Sequence, residues 1–218
     1  MRPFIINFKN YSEVAGEKAE GLSIAAKRVS DKLDIEIVLA PPQPTIAAIA
    51  RISKLPVFCQ HLDNARAGQT TGFFVPEMAK SFGASGSIIN HSEHRLDLPT
   101  IVELVGRLRT LKMISVVCAR TPTEVEQYGN LNPDFVAIEP PELIGSGKAV
   151  SQEDPDIITR SVQSLHGSAN IVCGAGISQR DDVVKAIELG SKGVLVASSI
   201  VKASSWYDKI YELGSGMV

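Results

Sequence analysis

The stretch FVAIEPPELIGSGKAV, Phe135 to Val150, carries a lone carboxylate, Glu139, at the end of an apolar run. Two prolines and an Ile-Gly-Ser-Gly-Lys segment follow it. A buried carboxylate is costly to keep ionised, so Glu139 suits proton transfer better than packing. His91, in NHSEHR 90–95, supplies an imidazole, and Lys9, in NFK 7–9, a cation. Taken singly, His91 reads equally as a core histidine, and Lys9 reads as a surface lysine. His91, Ser92, Glu93 and His94 set two histidines three apart. No third ligand at matching spacing follows, so no metal is expected. The Ile-Gly-Ser-Gly-Lys segment lacks the full P-loop spacing and follows a diproline, which rules that motif out. Cys59, Cys118 and Cys173 each close a strand-like run and read as small buried hydrophobes in a reducing compartment.

The elements that would position these residues are short apolar runs at 4–7, 35–40, 57–60, 87–90, 114–118, 135–138, 171–174 and 193–197. Between them lie amphipathic segments such as Ala15–Leu33, Leu98–Leu111, Pro155–Leu165 and Asp181–Leu189. In the second of these, Ile101, Leu104, Val105, Leu108 and Leu111 recur at helical spacing. The strands are apolar throughout, as in a parallel sheet covered on both faces. Eight strand-then-helix units without a linker-like composition break predict an α/β fold, a single (β/α)8 TIM barrel over residues 1–218. A doubly wound open sheet is the alternative. Phe4, Phe8, Ile24, Leu39 and Ile138 are expected in the core. Net charge is -2, from 22 basic and 24 acidic residues, with no basic stripe for nucleic acid. No apolar run approaches the roughly 20 residues that span a bilayer. MRPFIINFKN has no small-residue cleavage site and reads as a first strand. The expectation is a cytoplasmic protein.

In such a barrel, catalytic residues sit at the C-terminal ends of strands. Those positions hold Asn7, Phe8 and Lys9, then Asn90 to Glu93, then Glu139, then Gly174, Ala175 and Gly176, and finally Ala197 and Ser198. Small turns that lead into helices expose N–H groups able to hold a phosphate. The Gly-Ala-Gly turn lacks the third glycine of a dinucleotide fingerprint. Three readings fit these residues: an enzyme with Glu139 as proton-transferring base, another phosphate-binding barrel enzyme such as a sugar-phosphate epimerase or a Schiff-base aldolase with Lys9 as nucleophile, and a non-enzymatic sensor of phosphorylated metabolites.

The motifs resemble those of the triosephosphate isomerase family over nearly the whole chain. NFK 7–9 is similar to that family's Asn-Trp-Lys, and NHSEHR 90–95 to its Gly-His-Ser-Glu-Arg-Arg. AIEPPELIGSGK 137–148 is similar to its Ala-Tyr-Glu-Pro-Val-Trp-Ala-Ile-Gly-Thr-Gly-Lys. PPELIG and CGAGIS are shared with the compact archaeal-type form. The resemblance implies interconversion of dihydroxyacetone phosphate and D-glyceraldehyde 3-phosphate, in glycolysis and gluconeogenesis, without a cofactor. It implies Glu139 as base, His91 as electrophile, and Asn7 and Lys9 beside the substrate. Glu93 is expected to pair with Lys9. The phosphate would rest on N–H groups near Gly145, Gly176, Ala197 and Ser198, with Ile144 closing over it in a lid at about 140–150. Gly176 stands where most members have serine, Ala197-Ser198 replaces Gly-Gly, and Pro141-Glu142 replaces Val-Trp.

QHLDNARAGQTTGFFVP, Gln60 to Pro76, has neither helical nor strand period and is long for a connection inside a barrel. Phe73 and Phe74 would form an exposed apolar patch there unless covered. In the resembling family the matching loop enters a neighbouring subunit, which places Thr71 near the neighbour's Asn7 and Lys9. A homodimer or homotetramer is therefore expected.

Overall fold

A computed structural model describes residues 1–143, 149–165 and 167–218. The chain alternates strand and helix: β1 (Phe4–Asn7), α1 (Lys18–Leu33), β2 (Ile37–Ala40), α2 (Ile46–Ser53), β3 (Phe58–Cys59), α3 (Pro76–Ser81), β4 (Gly86–Ile89), α4 (Leu98–Thr110), β5 (Ile114–Ala119), α5 (Pro122–Gly129), β6 (Phe135–Ile138), α6 (Val150–Glu153), α7 (Pro155–Ser164), β7 (Asn170–Cys173), α8 (Arg180–Glu188), β8 (Gly193–Val196), α9 (Ser198–Val201) and α10 (Trp206–Gly214). All strand pairs are parallel, in the order β2-β1-β8-β7-β6-β5-β4-β3. A Leu39–Val57 bridge joins the two edge strands, with the Leu39 N–H donating to the Pro56 carbonyl at 2.9 Å, and closes the ring. The expected barrel is the fold observed.

Because strand side chains alternate, the ring divides its apolar residues into two sets. Ile5, Val38, Phe58, Ile88, Val116, Phe135, Ala137, Val172 and Leu195 pack together inside the barrel. Their neighbours Phe4, Ile6, Leu39, Ile89, Val117, Val136, Ile138, Ile171 and Val194 pack outward under the helices. The inward parity runs on to Asn7 at the end of β1 and, one residue past their strands, to Asn90, Glu139, Gly174 and Ala197. The same register thus fills the barrel and aims these residues at its mouth. Among the described residues, no helix is long and apolar enough to cross a membrane.

Two sequence expectations are corrected. The first helix starts at Lys18 and not Ala15, because Ala15 is extended and Gly16 takes a left-handed φ of 59°, which a continuing helix cannot include. Ile24 is not a core residue: it is 48% exposed, while Leu22, Ala26 and Val29 of the same helix are fully buried. Two residues from Leu22 is a turn of about 200° on a helix of 3.6 residues per turn, so the two face opposite ways. Ile24→Lys is therefore expected to leave the unfolding free energy within about 0.5 kcal/mol of wild type. Leu22→Ala is expected to cost about 2–5 kcal/mol, and urea titration of the two variants distinguishes the faces.

Candidate active site

The structure brings Lys9, His91 and Glu139 to one cavity of about 360 Å³ at the C-terminal mouth of the barrel. Gly176, Ala197 and Ser198 line the same cavity, and Asn7 and Glu93 line a neighbouring one that shares Lys9 and His91. Ile144 and Gly145, with the rest of 144–148, lie outside the described residues.

Glu139 follows β6 directly. Its N–H donates to the Ala119 carbonyl at 2.8 Å, which extends the β5–β6 ladder by one step. The residue is 3% exposed, and among the described residues its Oε2 has no hydrogen-bond partner. An unpaired buried oxygen of this kind costs about 1–3 kcal/mol and is free to meet a substrate proton. His91 Nε2 lies 3.8 Å from that oxygen.

The other imidazole nitrogen is committed. The backbone N–H of Glu93 donates to His91 Nδ1 at 3.2 Å. A nitrogen that accepts cannot also carry a proton, so the network assigns a neutral ring with its proton on Nε2, facing the cavity. The turn that holds His91 is fixed by Asn90, whose Nδ2 donates to the Cys118 carbonyl at 3.0 Å and whose Oδ1 accepts the Leu96 N–H at 2.9 Å. Asn90 sits at a left-handed φ of 63°. Asparagine tolerates that region better than most residues do. Arg95 braces the turn from outside by donating to the Asn90 carbonyl and to Glu124 at 3.3 and 3.0 Å.

Lys9 donates from Nζ to Glu93 Oε1 at 2.7 Å. Its backbone is left-handed, with φ of 48°, and is held from two sides. The Lys9 N–H donates to Asn7 Oδ1, and Gln60 Nε2 donates to the Lys9 carbonyl, each at 3.0 Å. Gln60 also donates to the Ala40 carbonyl at 3.0 Å and so links the ends of β1, β2 and β3. Across the mouth, Asp182 accepts the N–H groups of Ser178 and Gln179, both at 2.9 Å, which fixes the turn after β7.

Cys118, Gln60 and Lys202 contribute to the site without having been marked in the sequence, and Gly174 and Asn90, noted there only as strand-end positions, have specific contacts in it. A Cβ on Gly174 would stand 2.4 Å from Glu139 Cγ and 2.7 Å from its Oε1. The place of Gly174 at a strand end was legible in the sequence, and its contact with Glu139 was not. The Cys118 thiol, also inward, is pushed well above its ordinary range, first by burial and then by the Glu139 carboxylate. Burial likewise pushes Cys59 up to about 12. All three cysteines are buried and free.

The Gln60–Pro76 connection is irregular up to α3, as its sequence implies. Asp63 pins its base: the Asp63 N–H donates to the Phe74 carbonyl at 3.0 Å, and the Phe74 N–H to Asp63 Oδ2 at 2.7 Å. The paired-phenylalanine expectation is half corrected. Phe73 is 57% exposed, whereas Phe74 packs against the core because Asp63 holds its backbone inward. Thr71 is exposed at the tip. His94 donates its backbone N–H to the His91 carbonyl at 2.8 Å. Its ring stacks on His61 with centroids 3.7 Å apart, and burial followed by that neighbour's charge lowers the pKa of His61.

Residues 3–213 match the family model described as triosephosphate isomerase. A protein of that name from Cenarchaeum symbiosum (strain A) is 46% identical over 215 residues, 98% of this chain and 96% of the relative. One from Caldivirga maquilingensis is 44% identical, covering 98% and 96%. A third, from Methanothermobacter thermautotrophicus, is 41% identical over 97% and 93%.

Gly174→Ala is expected to displace the Glu139 carboxylate by about 1 Å and to lower turnover roughly 100-fold in an isomerase assay, with an unchanged far-UV circular dichroism spectrum. Full turnover in a folded variant would mean that the carboxylate has room to spare.

Proposed function

The chain belongs to the triosephosphate isomerase family and interconverts triose phosphates, and we propose that it does so with Glu139 as base and His91 as electrophile. The observation that carries this assignment is the unpaired, buried Glu139 Oε2 set 3.8 Å from a His91 Nε2 whose proton is fixed by the Glu93 N–H on the opposite nitrogen. Glu139 takes the proton from the carbon beside the carbonyl, and the C–H electron pair becomes the carbon–carbon double bond of an enediolate. The carbonyl oxygen takes up the negative charge, and His91 Nε2–H and the Lys9 ammonium stabilise it there. Glu139 returns the proton to the neighbouring carbon, which exchanges ketose for aldose with no net redox change. This family is the standard example of catalysis by a neutral imidazole. Glu93 holds the Lys9 ammonium in place, and Asn7 holds the Lys9 backbone.

The substrate's phosphate takes the N–H groups near Gly176, Ala197 and Ser198. Support comes from the short helix α9, because the first N–H groups of a helix have no intrahelical acceptor. The segment at about 140–150, with Ile144 and Gly145, acts as a lid that excludes water. The reaction serves glycolysis and, running in reverse, gluconeogenesis. A cytoplasmic setting suits three buried free thiols.

The enzyme works as an assembly of identical copies, a homodimer or homotetramer. The loop tip at Thr71 of one copy enters the cavity of about 490 Å³ beside Asn7, Lys9 and Glu93 of another. Phe73, Met78 and Phe82 are each 46% exposed or more, and such an interface would cover them.

Two measurements test this reading. In a coupled isomerase assay, Glu139→Gln is expected to lower kcat by about 10²–10⁴-fold with KM little changed, as for a group that acts in the transition state. A variant that keeps more than about a tenth of wild-type turnover rules out a general base at this position. In light scattering, wild type is expected to be at least dimeric and Thr71→Arg to dissociate and lose activity together. A monomeric, fully active wild type refutes the assembly.

A further inference from the structure

We propose that Lys202 is a substrate-binding residue that leaves a resting place on Tyr11 to pair with the phosphate dianion of the incoming substrate. The inference rests on the reading of this cavity as a triose phosphate site and adds a residue to it. Lys202 lines the same cavity as Lys9, His91 and Glu139, on the wall formed by the residues after β7 and β8. Lys9, the other lysine lining that cavity among the described residues, is already tied to Glu93 at 2.7 Å. Lys202 is exposed, and its Nζ makes no hydrogen bond or ion pair among the described residues. Its Nζ stands over the Tyr11 ring, 4.7 Å from the centroid.

The backbone of Lys202 is fixed where the proposal needs it. Its N–H donates to the Ser198 carbonyl at 3.0 Å, so the side chain starts one turn beyond the Ala197–Ser198 turn. Tyr11 lines the adjoining cavity beside Lys9, which puts the resting place at the border of the two cavities. Glu13 feels Lys202 only as a lesser attraction, since its carboxyl is held below the usual range chiefly by its own backbone hydrogen bond. The Ser199 hydroxyl on the same wall is spent on the Ile177 carbonyl at 2.8 Å. An exposed ammonium over a half-buried ring is weakly held, and a charge-assisted hydrogen bond to phosphate is the stronger contact. A dianion entering the cavity therefore draws the ammonium off the ring, and the long flexible stem of lysine permits the swing.

The test compares Lys202→Met, Lys202→Arg and, as a control for lost charge, Lys32→Met at the far end of α1. Calorimetry with inorganic phosphate and steady-state kinetics with dihydroxyacetone phosphate are run on each. For Lys202→Met, the phosphate Kd and the KM are both expected to rise about 10-fold or more, with kcat within about 2-fold of wild type and a flatter dependence of kcat/KM on ionic strength. Lys202→Arg should keep most of the affinity, and Lys32→Met should match wild type. Unchanged phosphate Kd and KM in Lys202→Met overturns the proposal, and so does an equal shift in Lys32→Met or a loss confined to kcat. A wild type that binds phosphate without isomerising triose phosphates would refute the functional reading instead, and the calorimetric comparison would still judge Lys202.

Discussion

Side-chain alternation along eight short parallel strands is the constraint on which the rest of this molecule depends. Closure of the ring at Leu39–Val57 leaves each strand with only two directions, into the barrel or under the helices. Ile5, Ala137, Val172 and Leu195 fill the interior, and the next inward positions are Asn7, Glu139, Gly174 and Ala197. A slip of one residue in any strand would turn its whole set over. The fold and the site are thus specified by the same register, and the tight interior packing below protects the geometry of the mouth above.

That register brings together groups that would otherwise avoid one another. Glu139 is buried with an unpaired oxygen, Cys118 lies beside it on β5, and the close approach of β7 is possible only because residue 174 has no side chain. The cost is carried by rigid surroundings: the β5–β6 ladder extended by the Glu139 N–H, and the turn around His91 locked by Asn90 and Arg95. Left-handed backbone at Lys9, Asn90 and Ala175 rings the same mouth. Strained backbone at such positions persists only where neighbouring hydrogen bonds over-determine it. Gln60, with its two bonds to the Lys9 and Ala40 carbonyls, is one such brace.

Two cations at the mouth are held in different ways. The Lys9–Glu93 pair fixes one cation at the end of β1, while Lys202, beyond the neighbouring β8, rests on the Tyr11 ring. The loop base pinned by Asp63 keeps Phe74 inward and leaves Phe73 outward. Its exposed tip lies on the side of the molecule where identical copies are proposed to meet. On that reading, binding and assembly address neighbouring cavities that share Lys9 and His91.

The eight-unit barrel, each strand to within about two residues, was legible from sequence, because a parallel sheet covered on both faces demands wholly apolar strands between amphipathic segments. The same reading drew attention to Lys9, His91 and Glu139, since polar residues that follow apolar strands stand out from their neighbours. Other features depended on through-space contact and were decided only by tertiary structure. Ile24 looks like any core isoleucine until the helix face is fixed by Leu22 and Val29. Gly174 looks like an ordinary turn glycine until Glu139 is seen against it. The proton position on His91 follows from a backbone N–H two residues on, whose direction no sequence states. Lys202 is a surface lysine by every local measure, and its interest comes from a ring 191 positions away, at Tyr11, which only closure of β8 against β1 brings within reach.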